Sequence, residues 1–439
     1  MGRKRLSADL FVFMNGEKVG RLSRTASGRF EFRYDQQWLQ SPLRRPISLS
    51  LPLSPEPHAG DLVESFFDNL LPDNQAIRNR IQKKFGIPSS NCFDLLTEVG
   101  RDCVGALQLY PQDQTVEVQR IVSEPLTEQQ IGQRLLSYRT MPLGMREDGD
   151  FRISIAGAQE KTALLWHRDC WHLPQGPTPT SHIFKLPIGK IAHSNMDLSD
   201  SVENEWLCRQ IIAAFGVPIA AAEMRTFDGV KVLVVERFDR RWSQDGTWLI
   251  RLPQEDMCQA LQVPPALKYE SDGGPGIQKV MDLLLGSIDG LQDRRRFITA
   301  QVLFWLLAAI DGHAKNFSLF LLPEGAFRLT PLYDVMSAYP LVAKGQLDSK
   351  DLKMAMALRG KNRHYQWSQL QHRHWMSTAK LCNFPGAEMN QIIEDLLGQV
   401  DDVIQTVGAN LPQGFPQEVV HSIFQGMKDA RDRLTRSKT

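Results

Sequence analysis

The sequence predicts a two-lobed α/β protein: an N-terminal α/β half carrying an extra β-rich module, then a mainly helical C-terminal half. Three observations predict it. Strand and turn signals dominate residues 1–241, and helical periodicity takes over from Trp242. An apolar run at 301–310 ends in the polar cluster Asp311-Gly-His-Ala-Lys-Asn316. Tyr333-Asp334 then follows across two short strand-like segments. The expected divisions are a β-rich module with helices (1–110), an α/β region (111–241) and a helical lobe (242–439).

Composition describes an ordinary globular chain of 439 residues, 42% apolar and 23% charged. The formal net charge is +1 (51 minus 50), so no global field draws it to nucleic acid or membrane. Six cysteines lie scattered with no C-x-x-C pair, which argues against zinc and disulfides and for a reducing compartment. The basic start is followed only by Leu10-Phe-Val-Phe-Met14, too short for a signal peptide, so a cytoplasmic protein without a membrane span is expected.

In chain order, residues 10–14 and 18–22 flank Asn15-Gly16, a pair suited to the positive φ angles of a type I′ hairpin turn. Segments 30–34 and 47–53 read as further strands, and helical periodicity runs from about 60 to Gly86. A polar stretch at 111–128 is the best first boundary. Segment 151–155 reads as a strand entering the small-residue loop Ala156-Gly-Ala-Gln-Glu160, and 161–166 as the strand leaving it. A hairpin through Arg168-Asp169 follows, then a strand at 182–186 containing Lys185. Asp200-Ser-Val-Glu203 resembles a capping box opening a helix that carries Glu205 and runs to Gly216. Two strands flank Asp228-Gly229 and end at Val235-Glu236. The apolar run 301–310 reads as a core helix. Residues 317–322 and 327–332 read as strands around the turn Pro323-Glu-Gly325, a hairpin that returns Asn316 and Asp334 to the same end.

The 311–334 cluster carries the chemistry. An Asp and an Asn five positions apart, with a second Asp 18 residues on, match what ATP-dependent phosphoryl transfer needs. One carboxylate orients the attacking hydroxyl, while the amide and the second carboxylate hold Mg²⁺ against the phosphates. The protein-kinase catalytic loop has the same Asp-to-Asn interval, although its His-Arg and its D-F-G are absent here. The order of strand, loop, strand, lysine strand, acidic helix and hairpin is also that of a kinase small lobe. The competing reading is a solvated loop after a buried helix.

Other candidates are less specific. Residues 156–162 lack the second glycine of a P-loop, yet their small side chains could let backbone N–H groups approach phosphates. Lys185 sits among apolar neighbours on its strand, which implies an anionic partner: nucleotide phosphates or Glu205. Lys161 is the rival phosphate lysine. Chain order makes 236–239 a candidate adenine hinge. Ser271-Asp-Gly-Gly-Pro-Gly276 reads as an anion loop or a flexible connector. From 352 to 387 there is no Asp or Glu where about four are expected from the chain's average (50 in 439). That segment carries six Lys and Arg, Arg373 and Lys380 among them, with three His and aromatic residues. It suits phosphate backbone or an acidic partner, or else a surface whose acids come from elsewhere in the fold.

Together these motifs make the chain resemble the HipA family of serine/threonine kinases, toxins of bacterial toxin–antitoxin pairs. The resemblance rests on Phe66-Phe-Asp-Asn-Leu-Leu-Pro-Asp73, Glu98-Val-Gly-Arg-Asp-Cys-Val-Gly-Ala106, Ser154-Ile-Ala-Gly-Ala-Gln-Glu-Lys161, His182-Ile-Phe-Lys-Leu-Pro187, Val235-Glu-Arg-Phe-Asp-Arg240, Asp311-Gly-His-Ala-Lys-Asn316 and Pro331-Leu-Tyr-Asp334. It implies a kinase-like fold, with Asp311 as catalytic carboxylate and Asn316 and Asp334 as Mg²⁺ ligands. The ATP site would take in Ala156, Gly157, Ala158, Gln159, Glu160, Lys161, Lys185, the backbone of Glu236, Arg237 and Phe238, and His313, Lys315, Asn316 and Asp334. Ser154 would be an autophosphorylation site. The resemblance further implies a translation component as substrate, notably an aminoacyl-tRNA synthetase, and a helix-turn-helix antitoxin that restrains the kinase on operator DNA. Arg373 and Lys380 would lie near that DNA.

Overall fold

The structure is a computed structural model that describes residues 9–25, 27–140, 159, 161–191 and 195–437. The chain falls into two compact units. The first runs to Leu186 and adds Arg225–Ala266 and Leu319–Phe327; the second holds Pro187–Met224, Leu267–Ser318 and the chain from Arg328 on.

The first unit contains two larger sheets. One is antiparallel, ordered His58–Ala59, Phe30–Tyr34, Glu17–Arg24, Asp9–Met14, Leu107–Tyr110, over a core that includes Leu10, Val12, Phe32, Phe66 and Phe67. Asn15 (φ 47°) and Gly16 (φ 89°) make the expected turn. The Asn15 side chain also brackets Arg251, donating to its carbonyl at 2.8 Å and accepting from its amide at 2.9 Å. The strand expected at 47–53 does not form; only Ser48 and Leu51 pair. Side chains take the place of a ladder there. Tyr34 Oη donates to the Leu51 carbonyl at 2.5 Å and accepts from the Ile47 amide at 2.9 Å. Glu255 accepts from the Leu49 amide at 2.8 Å and the Ser48 hydroxyl at 2.5 Å. Burial pushes the Glu255 carboxyl up to about 8, against the pull of those two donors.

The other sheet is ordered Ala222–Phe227, Val230–Glu236, His182–Lys185, Lys161–His167, Cys170–Pro174, Ser123–Pro125, antiparallel from Val230–Glu236 onward. Phe184, Phe227, Trp171, Val232 and Val234 fill its core. Arg168 (φ 50°) and Asp169 (φ 60°) form the expected tight turn. The polar stretch after Tyr110 is held in place, because Val116 and Val118 pack on Phe13 and Tyr110. The strand expected at 151–155 lies outside the described residues.

In the second unit the helix around Glu205 is Ser201–Ala214. Its expected capping box is absent: Asp200 makes no side-chain cap. Its carboxylate pairs with Lys344 at 2.6 Å instead, and Ser201 Oγ accepts from the Ile188 amide at 2.9 Å. The apolar helix spans Gly290–Leu306 and stops short of Ile310. Its end is a Schellman motif, with the Ala308 amide on Trp305 O (3.1 Å) and the Ala309 amide on Phe304 O (2.7 Å). Ala308 adopts φ 47° where glycine is usual, so no sequence signal marked the stop. Buried Phe297, Phe304 and Trp305 each contribute roughly 1.5–3 kcal/mol of transfer free energy and make this helix a firm platform. The indoles of Trp305 and Trp367 each donate to the other's carbonyl, at 3.1 and 2.7 Å.

A further correction concerns 352–387, where helical periodicity was expected. Lys353–Arg359 and Arg363–Gln366 form a β-hairpin, with helix His372–Leu381 after it. The Met-Ala-Met-Ala-Leu run favours helix locally; burial of five consecutive strand residues overrides that preference. Helices Gly386–Ala409 and Gln417–Arg436 complete the unit. Among the described residues, no helix is long and apolar enough to cross a membrane.

Candidate active site

The polar cluster follows the end of the buried helix directly. Gly312 is required sterically, since a Cβ there would lie 2.4 Å from Phe304 Cδ2. The Asp311 carbonyl accepts from the His313 amide at 2.8 Å and from Asn316 Nδ2 at 2.8 Å. The loop is thereby folded back on itself, closing with the 3₁₀ turn Ala314–Asn316. Use of Nδ2 in that bond fixes how the amide is turned and leaves Oδ1, a hard oxygen, at its other end. His313, Lys315 and Asn316 are buried, while Asp311 is exposed.

Asp334 is brought to the same end by the hairpin. The Thr330 amide donates to Ser318 O at 3.0 Å. Tyr333 Oη donates to Lys315 O at 2.8 Å and contacts Ser318 Oγ at 2.5 Å. One side chain thus ties the residue before Asp334 to the residue before Asn316. Asp334 itself sits at φ 62°, a conformation that costs a non-glycine residue of order 1–3 kcal/mol. Downstream, Asn204 on the acidic helix clamps Ser337 twice at 2.8 Å, and Ser337 Oγ donates to Leu307 O at 2.6 Å. The strained residue is therefore held by well-fixed neighbours.

Two residues unmarked by the sequence reading belong to this site. Tyr333 appeared only as the neighbour of Asp334. Tyr269 had no signal at all, yet its hydroxyl donates to Asp311 Oδ1 at 2.5 Å.

In the first unit, Lys161 and Lys185 are direct cross-strand partners, so both side chains leave the same face of the sheet. Lys185 is buried. Gln159 Nε2 donates to Leu186 O at 2.6 Å, pinning the end of the small-residue loop to the lysine strand. Ser154, Ala156, Gly157, Ala158 and Glu160 lie outside the described residues. Glu236 ends its strand opposite His182. The Arg237 amide donates to Ser181 O at 2.9 Å, and the Phe238 ring meets Phe320 edge-on at 5.8 Å.

The side chain of Arg237 belongs to a separate buried network. It meets Asp239 through Nη2 (2.8 Å) and Nε (3.0 Å), and Asp102 at 3.2 Å. Arg240 reaches Asp102 and Asp239, each at 2.9 Å, and Arg251 reaches Asp102 at 3.2 Å. Burial alone would raise the Asp102 carboxyl, but Arg240, Arg237 and Arg251 hold it well below the usual range. Gly105, at φ 73°, donates to Asp239 at 2.7 Å; a Cβ there would strike Gln254 O.

In the basic segment, Arg363 pairs with Glu270 at 3.3 Å, so one acid does come from elsewhere in the fold. Arg373 and Lys380 stand exposed on the helix His372–Leu381.

Fold and site together define a protein of kinase-like fold. Two family models match the chain: the HipA N-terminal domain over residues 10–110 and the HipA-like C-terminal domain over 153–404. The chain belongs to the HipA family. It is 35% identical to "Putative kinase Y4mE" of Sinorhizobium fredii over 357 residues, 80% of either chain. It is 29% identical to the serine/threonine-protein kinase toxin HipA of Shewanella oneidensis over 336 residues, 73% of this chain and 72% of that one. Among solved structures, HipA of Shewanella oneidensis MR-1, in complex with HipB and operator DNA, has the same fold at TM-score 0.81, with 22% identity and 97% coverage of both chains.

Proposed function

We propose that this chain is an ATP- and Mg²⁺-dependent serine/threonine protein kinase that arrests growth as the toxin of a toxin–antitoxin pair. The observation that carries this reading is the Asn316 side chain closing on the Asp311 carbonyl, with Tyr333 tying in the approach to Asp334. That arrangement ties the loop of Asp311 and Asn316 to the segment entering Asp334, which supports reading them as the carboxylate and the two oxygen ligands needed for phosphoryl transfer. The donor set fits Mg²⁺, which commonly takes one or two protein oxygens and completes its shell with phosphates and water.

In this reading Asn316 Oδ1 and the Asp334 carboxylate hold the metal. Lys185, with Lys161 on the same sheet face, offers positive charge to the phosphates, and the small-residue loop 156–160 offers backbone donors. The backbone at Glu236, Arg237 and Phe238 receives the adenine; at Arg237 the amide is already donated to Ser181 O and the carbonyl already accepts from the Arg240 amide at 3.1 Å, so that carbonyl has only its second lone pair to offer. Bound Mg²⁺–ATP supplies the phosphoryl group and neutralises the charge that develops on it. Asp311 accepts the proton of the attacking serine or threonine hydroxyl as the new O–P bond forms and the bond to the β-phosphate oxygen breaks.

The substrate is a translation component, an aminoacyl-tRNA synthetase first among them. A helix-turn-helix antitoxin restrains the kinase and corepresses with it on operator DNA. The family membership and the relative seen with HipB and operator DNA support the antitoxin and DNA partners. Autophosphorylation falls on Ser154, where a phosphate of about −1.5 to −2 charges would repel ATP or draw the loop away.

Purified protein incubated with γ-labelled ATP and cell lysate should label a synthetase on serine or threonine, and should label itself at Ser154. Protein phosphorylated stoichiometrically at Ser154 should bind ATP more weakly than Ser154→Ala protein. Phosphate transfer to small molecules without any phosphoprotein would replace the reading by a small-molecule phosphotransferase.

A further inference from the structure

We infer that Tyr269 is a positioning residue for the transfer reaction, holding one oxygen of the Asp311 carboxylate so that the other faces the substrate hydroxyl. The inference rests on the reading of Asp311 as the catalytic carboxylate.

Asp311 lies exposed at the surface, where a short side chain would otherwise turn freely about its terminal torsion. Its Oδ1 accepts from Tyr269 Oη at 2.5 Å. The tyrosine is itself restrained. Its ring packs edge-on against His313, with centroids 5.0 Å apart and planes at 79°. Its carbonyl accepts from the amides of Asp272 (3.1 Å) and Gly274 (2.9 Å), and the preceding Lys268 carbonyl accepts from the Ala314 amide at 3.3 Å. The next residue, Glu270, is buried; it accepts from the Ala357 amide at 2.7 Å and pairs with Arg363.

The glycine-rich segment after Tyr269 exists to permit this support. A Cβ on Gly274 would lie 2.0 Å from the Leu267 carbonyl oxygen and 2.7 Å from that of Tyr269. A Cβ on Gly276 would lie 2.3 Å from the Glu270 carboxylate carbon. Neither an anion loop nor a loose connector explains those distances; close packing under Tyr269 does.

A hydroxyl aimed at a carboxylate pre-orders the acceptor, and losing it should act on the chemical step and leave ATP binding alone. Tyr269→Phe keeps the ring on His313 and removes only the donor. It should lower kcat for phosphotransfer about tenfold, the usual consequence of losing one hydrogen bond to a charged group, with the KM for ATP within about twofold of wild type. In an Asp311→Asn background the same change should cost nothing more.

If Tyr269→Phe lowers the melting temperature, 3,5-difluorotyrosine at this position gives the second arm. Its phenol ionises near neutrality, whereas tyrosine ordinarily ionises at about 10. An ionised phenol cannot donate and repels Asp311, so kcat should fall as pH rises through neutrality in this variant and not in wild type. Wild-type kcat in Tyr269→Phe, or no new alkaline fall in the fluorinated protein, overturns the positioning role while inactive Asp311→Asn leaves the kinase reading standing. Full activity of Asp311→Asn would overturn the kinase reading itself.

Discussion

Two charged clusters in this molecule use the same side-chain chemistry for opposite ends. Around Asp102, three guanidiniums and two carboxylates are almost wholly buried and held by one another. Around Asp311, the carboxylate is exposed while His313, Lys315 and Asn316 of the same loop are buried. The first cluster spends its charges on each other, joining Glu98-Val-Gly-Arg-Asp-Cys-Val-Gly-Ala106 to Val235-Glu-Arg-Phe-Asp-Arg240. The second leaves a carboxylate at the surface. A motif dense in charge is thus not by itself a site; what separates the two is exposure, Asp102 being buried among guanidiniums and Asp311 standing at the surface.

Substitution should break this comparison most sharply at Asp311. Asp311→Asn removes the acceptor without changing shape, and should lower phosphotransfer by roughly 10²–10⁴-fold, the usual worth of a general base. ATP binding by calorimetry and the unfolding midpoint should stay at wild type. A transfer rate equal to wild type would falsify the assignment.

Asp102→Asn should behave oppositely. It leaves three buried guanidiniums facing a single carboxylate, and should cost about 3–5 kcal/mol of stability in denaturant titration, as breaking a buried pair does. Unchanged stability would mean that solvent or a rearrangement supplies the missing charge.

A smaller, pH-dependent effect is expected at Glu255. Its folded value is raised from 4.5 to about 8, so the folded chain keeps a proton that the unfolded chain releases. Stability from this group is fully present below about 4.5 and is lost as pH rises through about 8. Glu255→Gln, neutral at every pH, should flatten that decline in melting temperature between pH 5 and 8.5. An identical slope in the variant would remove Glu255 as its source.

Last, Arg373 and Lys380 are charges on an open helix face. If they meet DNA phosphates in an antitoxin complex, replacing both with Ala should reduce the salt slope of operator binding by about one unit per contact. An unchanged slope would return this face to simple solvation.

The sequence by itself determined the fold class, the first hairpin, the strand that carries Lys185, and the content of the 311–334 cluster. Each is written in local chemistry: Asn15-Gly16 in positive φ, alternating apolar strands, and a fixed spacing between Asp311, Asn316 and the hairpin to Asp334. Only tertiary structure decided the rest. The stop at Ala308 needs a left-handed alanine, which no residue type announces. The hairpin of Lys353–Arg359 with Arg363–Gln366 is made of helix formers and exists because burial overrules propensity. Segment 47–53 forms no strand because Tyr34 and Glu255, distant in sequence, satisfy its backbone. Tyr269 precedes Asp311 by 42 residues and reaches it through packing alone. Periodicity and spacing report contacts within a few turns of chain, whereas these four outcomes depend on partners that only folding brings near.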